Sequence, residues 1–515
     1  MRRQSLWLHL PILSFLCILI CACTGEETEP DLPNSNVCEL KENNHTLGLS
    51  AVLDTLYPNR DSSNKTGVYV FEEGEEAIIT RAWLSEQAQQ TIDIQYFIFS
   101  EDNIGVIACD YMLQAACRGV KIRLIIDDLL VDVHPEYVLA LDEHENIDIK
   151  IYNPNLNIGK NLGSKLTKVI TDFRGINQRM HHKTFIVDNE VVITGGRNIA
   201  DEYFDYDHEY NFRDRDVLLI GDISQDVQLA FNDYWDSDLT IDIEDLVDYP
   251  KEDYNYNAVH QWVHRYALDT INYWPQIRQT VPFAFQHIQS TDRLYWVDSV
   301  AFVSDIPGKN DGSQGLKGGS TTTDELVKLV KAANESIYIQ TPYLIMTDLG
   351  MNLFKDAVER GVDVHILTNS LSSTDNLEAF SGYRRNRKQL LDTGINIYEY
   401  KPDAEIRKEL MKSELQKRLD YVPIFGLHAK SMVVDDQIAV IGTFNLDPRS
   451  ANLNTECITV IHSEEVARDM VDTMKVELTE QNAWHTTGDF NPDATAGLGK
   501  GLKVSLRRLV PKSIL

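Results

Sequence analysis

One short pattern occurs twice in this chain with the same internal spacing, and any fold has to accommodate both copies. The first runs His181-His182-Lys183, Thr184 to Val187, Asp188, six residues, then Gly195-Gly196-Arg197-Asn198. The second runs His428-Ala429-Lys430, Ser431 to Val434, Asp435, six residues, then Gly442-Thr443-Phe444-Asn445. Each reads as a hairpin: an apolar strand, a polar turn at Asp188-Asn189-Glu190 or Asp435-Asp436-Gln437, and a second apolar strand returning to glycine. Residues two apart in extended backbone share a face, so His181 emerges beside Lys183 and His428 beside Lys430. Glycine at the hairpin end is expected to let backbone N–H groups approach an anion, with Asn198 and Asn445 donating from their amides.

The repetition extends upstream. Ile92-Asp93-Ile94-Gln95 has a counterpart in Ile337-Tyr338-Ile339-Gln340, and each precedes a helical stretch ending in Arg118-Gly119-Val120 or Arg360-Gly361-Val362. Apolar stripes at helical spacing, Ala108, Met112 and Ala115 in one half and Leu326, Leu329, Val330 and Ala333 in the other, require a sheet to pack on. Strands alternating with such helices predict an α/β fold of two similar domains, each a mixed sheet flanked by helices. The expected division is 66–240 and 321–490 for the two domains. Between them, 241–320 holds a Tyr- and Trp-rich insert, expected to form domain-interface core, and a Gly-rich linker. A chain of 515 residues has the length for such a pair.

Cleaving a phosphodiester needs a nucleophile, a proton donor for the leaving alkoxide, and positive charge around the non-bridging oxygens. Two histidines and two lysines supply all three. One histidine attacks phosphorus, the other protonates the leaving group, and Lys183, Lys430 and both asparagines bind the phosphoryl oxygens. A histidine in this role needs a carboxylate on its other ring nitrogen. Glu456 and Asp216, each directly preceding an apolar strand, are expected to orient the histidines. A single His-x-Lys would read as an exposed strand pair with Asp188 or Asp435 as a turn residue; its duplication inside a duplicated chain favours a shared site containing both copies, with Asp188 and Asp435 among its catalytic residues. Each copy places one spaced histidine beside a lysine, which is not a usual metal ligand, so neither a metal nor another cofactor is expected.

The net charge of −31 opposes non-specific nucleic-acid binding without excluding one phosphodiester in a local basic cleft. At the N-terminus, Arg2-Arg3, the apolar run Leu6 to Ala22 and then Cys23 before a polar acidic stretch read as an export signal, 1–22, followed by a tether, 23–65. Ile20-Cys21-Ala22-Cys23 resembles a bacterial lipobox, which implies lipid on Cys23 and an exported, membrane-anchored protein of the cell envelope. Cys38, Cys109, Cys117 and Cys457 are expected as buried thiols, with no bridge between Cys109 and Cys117. In the tail, 491–515, Leu502, Leu506, Leu509 and Val510 share a helical face flanked by Lys503, Arg507 and Arg508; this reads equally as a membrane-surface helix or a packed terminal one.

With both motifs in hand, the chain resembles the phospholipase D superfamily from about Ile78 to Trp484. Asn445-Leu446-Asp447-Pro448-Arg449-Ser450 and Leu453-Asn454-Thr455-Glu456, with Gly195-Gly196-Arg197-Asn198-Ile199, resemble its bacterial cardiolipin synthase branch. The resemblance implies a pseudo-two-fold pair of domains with the site at their interface, and transfer through a phosphatidyl-histidine. It implies His181 as nucleophile and His428 as general acid and base, or the reverse. It also implies phosphatidylglycerol and phosphatidylethanolamine as partners, and the acidic charge argues against nucleic acid as one. No protein partner is legible. Hydrolysis to phosphatidic acid is the principal alternative, because water and a lipid hydroxyl can attack the same intermediate. An exported nuclease is a more distant one.

Overall fold

The computed structural model describes Cys38 and residues 48–58, 64–130, 135–154, 178–247, 255–272, 274–309, 319–507 and Pro511. The two halves build the same sheet. In the first, Asp216–Ile220, Val191–Gly195, Thr184–Val187, Thr91–Ile98, Lys121–Leu130 and Ile147–Tyr152 lie side by side in that order. In the second, Cys457–His462, Ile438–Gly442, Ser431–Val434, Ser336–Gln340, Asp363–Asn369 and Asn396–Tyr400 repeat it. Each motif hairpin sits in mid-sheet, antiparallel to the strand at Thr91 or Ser336, while the next two strands run parallel to that one. Parallel neighbours need crossover helices, here Asn103–Cys117 and Asp348–Glu359. Asp102 and Thr347 cap these helices by accepting the N–H of Gly105 and Gly350.

The two sheets share an apolar layer. Ile186, Val192, Val217 and Leu219 of the first half pack in one cluster with Val433, Ala439, Ile441 and Ile461 of the second. Buried faces on both sides of each sheet explain why the motif strands read as continuous apolar runs rather than alternating ones.

The stretch 241–320 departs from expectation. Most of its aromatic part is core of the first half, where Trp274, Phe285 and Ile288 are buried in the same cluster as Ala82, Trp83 and Ile107; its end, at Tyr295 and Val297, joins the layer shared by the two halves. Nor is the stretch only a linker, since Tyr295–Val297 adds an edge strand to the first sheet and Val300–Ser304 adds one to the second. Aromatic composition requires burial but does not choose the surface covered.

Two cysteines also differ from expectation. Cys38 and Cys117 form a disulfide, whereas Cys109 and Cys457 are free thiols. The bridged residues are 79 apart, a separation that leaves no local signal. Among the described residues no helix is long and apolar enough to cross a membrane; Cys23 and the apolar N-terminal run lie outside them. In the tail, Gly497–Leu506 is a helix that buries Val504 and exposes Leu502 and Leu506; Leu509 and Val510 lie outside the described residues.

Candidate active site

The chain crosses over between the halves where the histidines lie. His181 N–H donates to Thr455 O, and Met180 bridges Thr455. In the mirrored position His428 N–H donates to Arg213 O, where Ile424–Leu427 runs parallel to Tyr210–Arg213. Each histidine segment thus lies against the segment of the other half that carries a carboxylate. The result is a crossed pairing: His181 Nδ1 lies 2.7 Å from Glu456 Oε2, and His428 Nδ1 lies 2.5 Å from Asp214 Oδ2. Neither half can complete this arrangement alone.

The partner of His428 is therefore Asp214 and not Asp216. Asp216 is committed elsewhere, accepting from Arg81 Nη2 at 2.7 Å and from the Arg197 N–H at 3.1 Å. In Arg213-Asp214-Arg215-Asp216 the two carboxylates are two residues apart and share a face of extended chain, so periodicity cannot separate them. The register does: Gly195 pairs with Asp216 just as Gly442 pairs with Ile458, which leaves Asp214 matched to Glu456.

Asp188 and Asp435 are not brought to the histidines. Asp188 accepts the N–H groups of Gln89, Gln90 and Thr91, and Asp435 those of Asn334, Glu335 and Ser336. Both have positive φ, as do Asn189 and Asp436 after them, the backbone of a tight hairpin turn that Asn and Asp tolerate best. Their role is to close the hairpin and clamp it to the preceding helix-to-strand loop.

The glycines also act otherwise than expected. A Cβ on Gly196 would stand 2.0 Å from Asp214 Oδ1, and one on Gly442 2.3 Å from Cys457 O. The N–H groups of Gly196 and Gly442 are taken by Arg215 O and Lys430 O. Glycine here makes room for the carboxylate strand; it does not present N–H groups to an anion.

Around the histidines, Lys183 Nζ donates to His181 O at 2.8 Å, and Lys430 Nζ donates to His428 O at 2.6 Å while lying 3.0 Å from both nitrogens of the His428 ring. Asn198 Oδ1 accepts from the Ile98 N–H, leaving its NH2 group as the donor; Asn445 Oδ1 is buried without a hydrogen-bond partner. Phe97 packs edge-on to His181, and Tyr203 and Phe212 pack on His428. His182, on the opposite side of the chain, bonds Ser304 and packs on Tyr234.

Burial and mutual repulsion govern the charges. Burial, then Lys183 and Lys430, holds the His181 imidazole well below its ordinary range, and burial with Lys430 pushes His428 down to about 4. Burial lowers Lys183 to about 8 and Lys430 to about 7. The two carboxylates differ. Burial pushes Glu456 up, whereas at Asp214 burial is outweighed by His428 and Lys430, which hold it well below the usual carboxylate range. Glu456 is further fixed by Thr443 Oγ1 at 2.5 Å, and its N–H donates to Asp305, which Lys309 Nζ pairs at 2.8 Å. Lys309 lies in the Gly-rich linker, and only its burial beside Asp305 shows its part. Among the described residues, one group has the spacing to hold a metal ion, Cys38, Cys117 and His144, and its two sulfurs are bonded to each other.

A duplicated mixed-sheet fold with one His-x-Lys from each half, and each histidine held by a carboxylate of the other half, defines an enzyme of the phospholipase D type. The family model described as cardiolipin synthase, PLD-like domain, matches residues 84–235 and again 326–476, together more than half of the chain. The chain belongs to this cardiolipin synthase-like family of the phospholipase D superfamily. It is 33% identical over 421 residues to cardiolipin synthase C of Escherichia coli K12, covering 81% of this chain and 86% of that protein. It is 32% identical over 429 residues to an uncharacterized protein of Helicobacter pylori, covering 83% of this chain and 82% of that one. Among solved structures, phosphatidylserine synthase of Haemophilus influenzae aligns over 88% of this chain and 98% of its own, with a TM-score of 0.56 at 14% identity, a likeness of fold.

Proposed function

We propose that this enzyme makes cardiolipin by transferring a phosphatidyl group from one phospholipid to the hydroxyl of phosphatidylglycerol, through a covalent phosphohistidine. The crossed histidine–carboxylate pairing around two buried lysines is the observation that carries this reading. His181, neutral and held by a carboxyl that burial also draws toward neutrality, is the nucleophile. His428, facing the ionised Asp214, is the better proton carrier, because that charge stabilises an imidazolium once the substrate's negative charge arrives.

His181 Nε2 attacks phosphorus, the bond to the headgroup oxygen breaks, and His428 supplies its proton to the leaving ethanolamine or glycerol. His428 then takes the proton of the phosphatidylglycerol hydroxyl, whose oxygen attacks phosphorus and expels His181. Lys183 and Lys430 neutralise the non-bridging oxygens in both transition states, and the Asn198 amide donates a hydrogen bond to them. Anchoring through Cys23 at a bacterial envelope membrane would present the site to these lipids.

The test is incubation with mixed phosphatidylethanolamine and phosphatidylglycerol vesicles, with and without chelator, followed by lipid mass analysis. Cardiolipin is expected in both cases and is lost in His181→Ala and His428→Ala. Phosphatidic acid as the sole product would make the enzyme a hydrolase, and DNA degradation without lipid turnover would make it a nuclease.

A further inference from the structure

The duplicated halves differ at one matched place, the cleft between the sheet and its two covering helices. In the first half it lies under Gly74–Gln87 and Asn103–Cys117, in the second under Thr321–Ala332 and Asp348–Glu359. The positions correspond one to one: the helix C-caps Ala88 and Ala333 match, as do Arg118 and Arg360, and the strand pairs Ile94–Phe185 and Ile339–Met432 occupy the same ladder position.

In the first half the cleft is filled. Arg81 pairs with Asp216 at 2.7 Å and donates to Tyr96 Oη at 3.2 Å, and Trp274 of the aromatic insert closes the space. At the same three positions the second half has Leu326, Ile458 and Thr341, with Gly350 where the first half has Ala108. The ionic network is thus replaced by apolar and small side chains, and the cleft holds a cavity of about 90 Å³ against about 30 Å³ in the first half. Leu349 at its rim is exposed. The lining runs on to Lys430 and to Ser431, whose buried hydroxyl has no hydrogen-bond partner. An apolar slot that ends at Lys430, one of the two lysines of the site, has the polarity gradient of a phospholipid, charge at one end and hydrocarbon along the rest.

We propose that this cleft holds one acyl chain of a lipid substrate whose phosphate lies between His181 and His428, so that the second half grips a hydrocarbon chain and the first half does not. The proposal rests on the lipid-transferase reading. Chain length then enters kcat/KM, since each methylene withdrawn from such a slot lowers affinity roughly fourfold.

Gly350→Leu tests it. A Cβ at Gly350 meets Thr347 and Met346 only at ordinary contact distances, 3.6 and 3.8 Å, and leucine suits a helix better than glycine, so the variant should fold while its side chain occupies the slot. The expected result is a loss of at least tenfold in kcat/KM for dipalmitoyl phosphatidylglycerol, with dihexanoyl phosphatidylglycerol within about twofold of wild type. Equal effects on both lipids, or none on either, would overturn it. A second measurement needs no turnover: phosphatidylglycerol with a diazirine on its acyl chain is photolysed with His181→Ala protein, and labelled peptides are mapped. Labels are expected in 321–332 and 348–359; labels elsewhere alone would overturn the proposal, as would none, the result expected if a segment of the protein fills the slot. Labelling of the slot by an enzyme that turns over no lipid would sink the transferase reading and leave the chain site standing. Turnover with labels elsewhere would do the reverse.

Discussion

Replacing Asp214 by Asn should separate the histidine partner that the structure assigns from Asp216, the one suggested by its place directly before an apolar strand. The amide keeps the size of the side chain but removes the charge facing His428 Nδ1 at 2.5 Å. A hydrogen bond to a charged group contributes about 1.5–3 kcal/mol, or roughly ten- to hundredfold in rate if it is fully felt in the transition state. Loss of the required imidazole tautomer adds to this, and the same exchange in a Ser-His-Asp triad costs about 10⁴ in kcat. A fall of roughly 10² to 10⁴ in kcat is therefore expected, with little change in melting. Asp216→Asn should behave oppositely. It leaves the buried Arg81 guanidinium without its 2.7 Å partner, which costs about 3–5 kcal/mol of stability, while turnover per folded molecule stays within about threefold. The assay is headgroup release from phosphatidylglycerol micelles, normalised to the folded fraction from denaturant unfolding. If Asp214→Asn keeps kcat within tenfold, or Asp216→Asn loses a hundredfold at unchanged stability, the assignment is wrong.

Gly196→Ala drives a methyl group to 2.0 Å from Asp214 Oδ1 and should lower kcat about as much as Asp214→Asn, read in the same assay. Asp435→Ala removes the acceptor of three backbone N–H groups and should cost about 2 kcal/mol in denaturant unfolding while kcat stays within a few-fold, which distinguishes a turn clamp from a catalytic acid. Sulfate, which does not itself titrate near neutrality, should bind the empty site most tightly below pH 7, where both lysines are charged. Its affinity should fall as pH rises through about 7 to 8 and Lys430 and then Lys183 lose their protons; constant affinity from pH 6 to 9 by calorimetry would contradict the lysine assignment. Cys117→Ser opens a loop spanning 79 residues, and the chain-entropy estimate for that closure is about 4.5 kcal/mol. The measurable outcome is a lower denaturant midpoint than wild type, with the difference abolished by reductant.

Much of the site was legible because its signals are local. A histidine and lysine two apart, an apolar strand, a turn Asp and a terminal glycine all act within one hairpin, and repeating them 247 residues later, from His181 to His428, marked both as parts of one design. Glu456 was also within reach, because it stands alone before its strand. The order of strands and helices followed from periodicity, and both sheets realise it. What escaped depended on which distant segment lies alongside. Asp214 and Asp216 share a face, and only the ladder register with Gly195 and Gly196 gives one to His428 and the other to Arg81. Asp188 and Asp435 carry the composition of a catalytic acid and the backbone of a turn, and their distant N–H partners decide between the two.

By itself, then, the sequence determined two hairpins bearing one imidazole and one ammonium each, because side-chain alternation and turn chemistry act over a few residues. The tertiary structure alone decided that each imidazole takes its carboxylate from the other half, that the aromatic insert fills the first half's cleft, and that the matching cleft in the second half stays open beside Lys430. Those outcomes depend on register and packing between segments tens to hundreds of residues apart, where the energy of a contact is set by what the fold brings next to it.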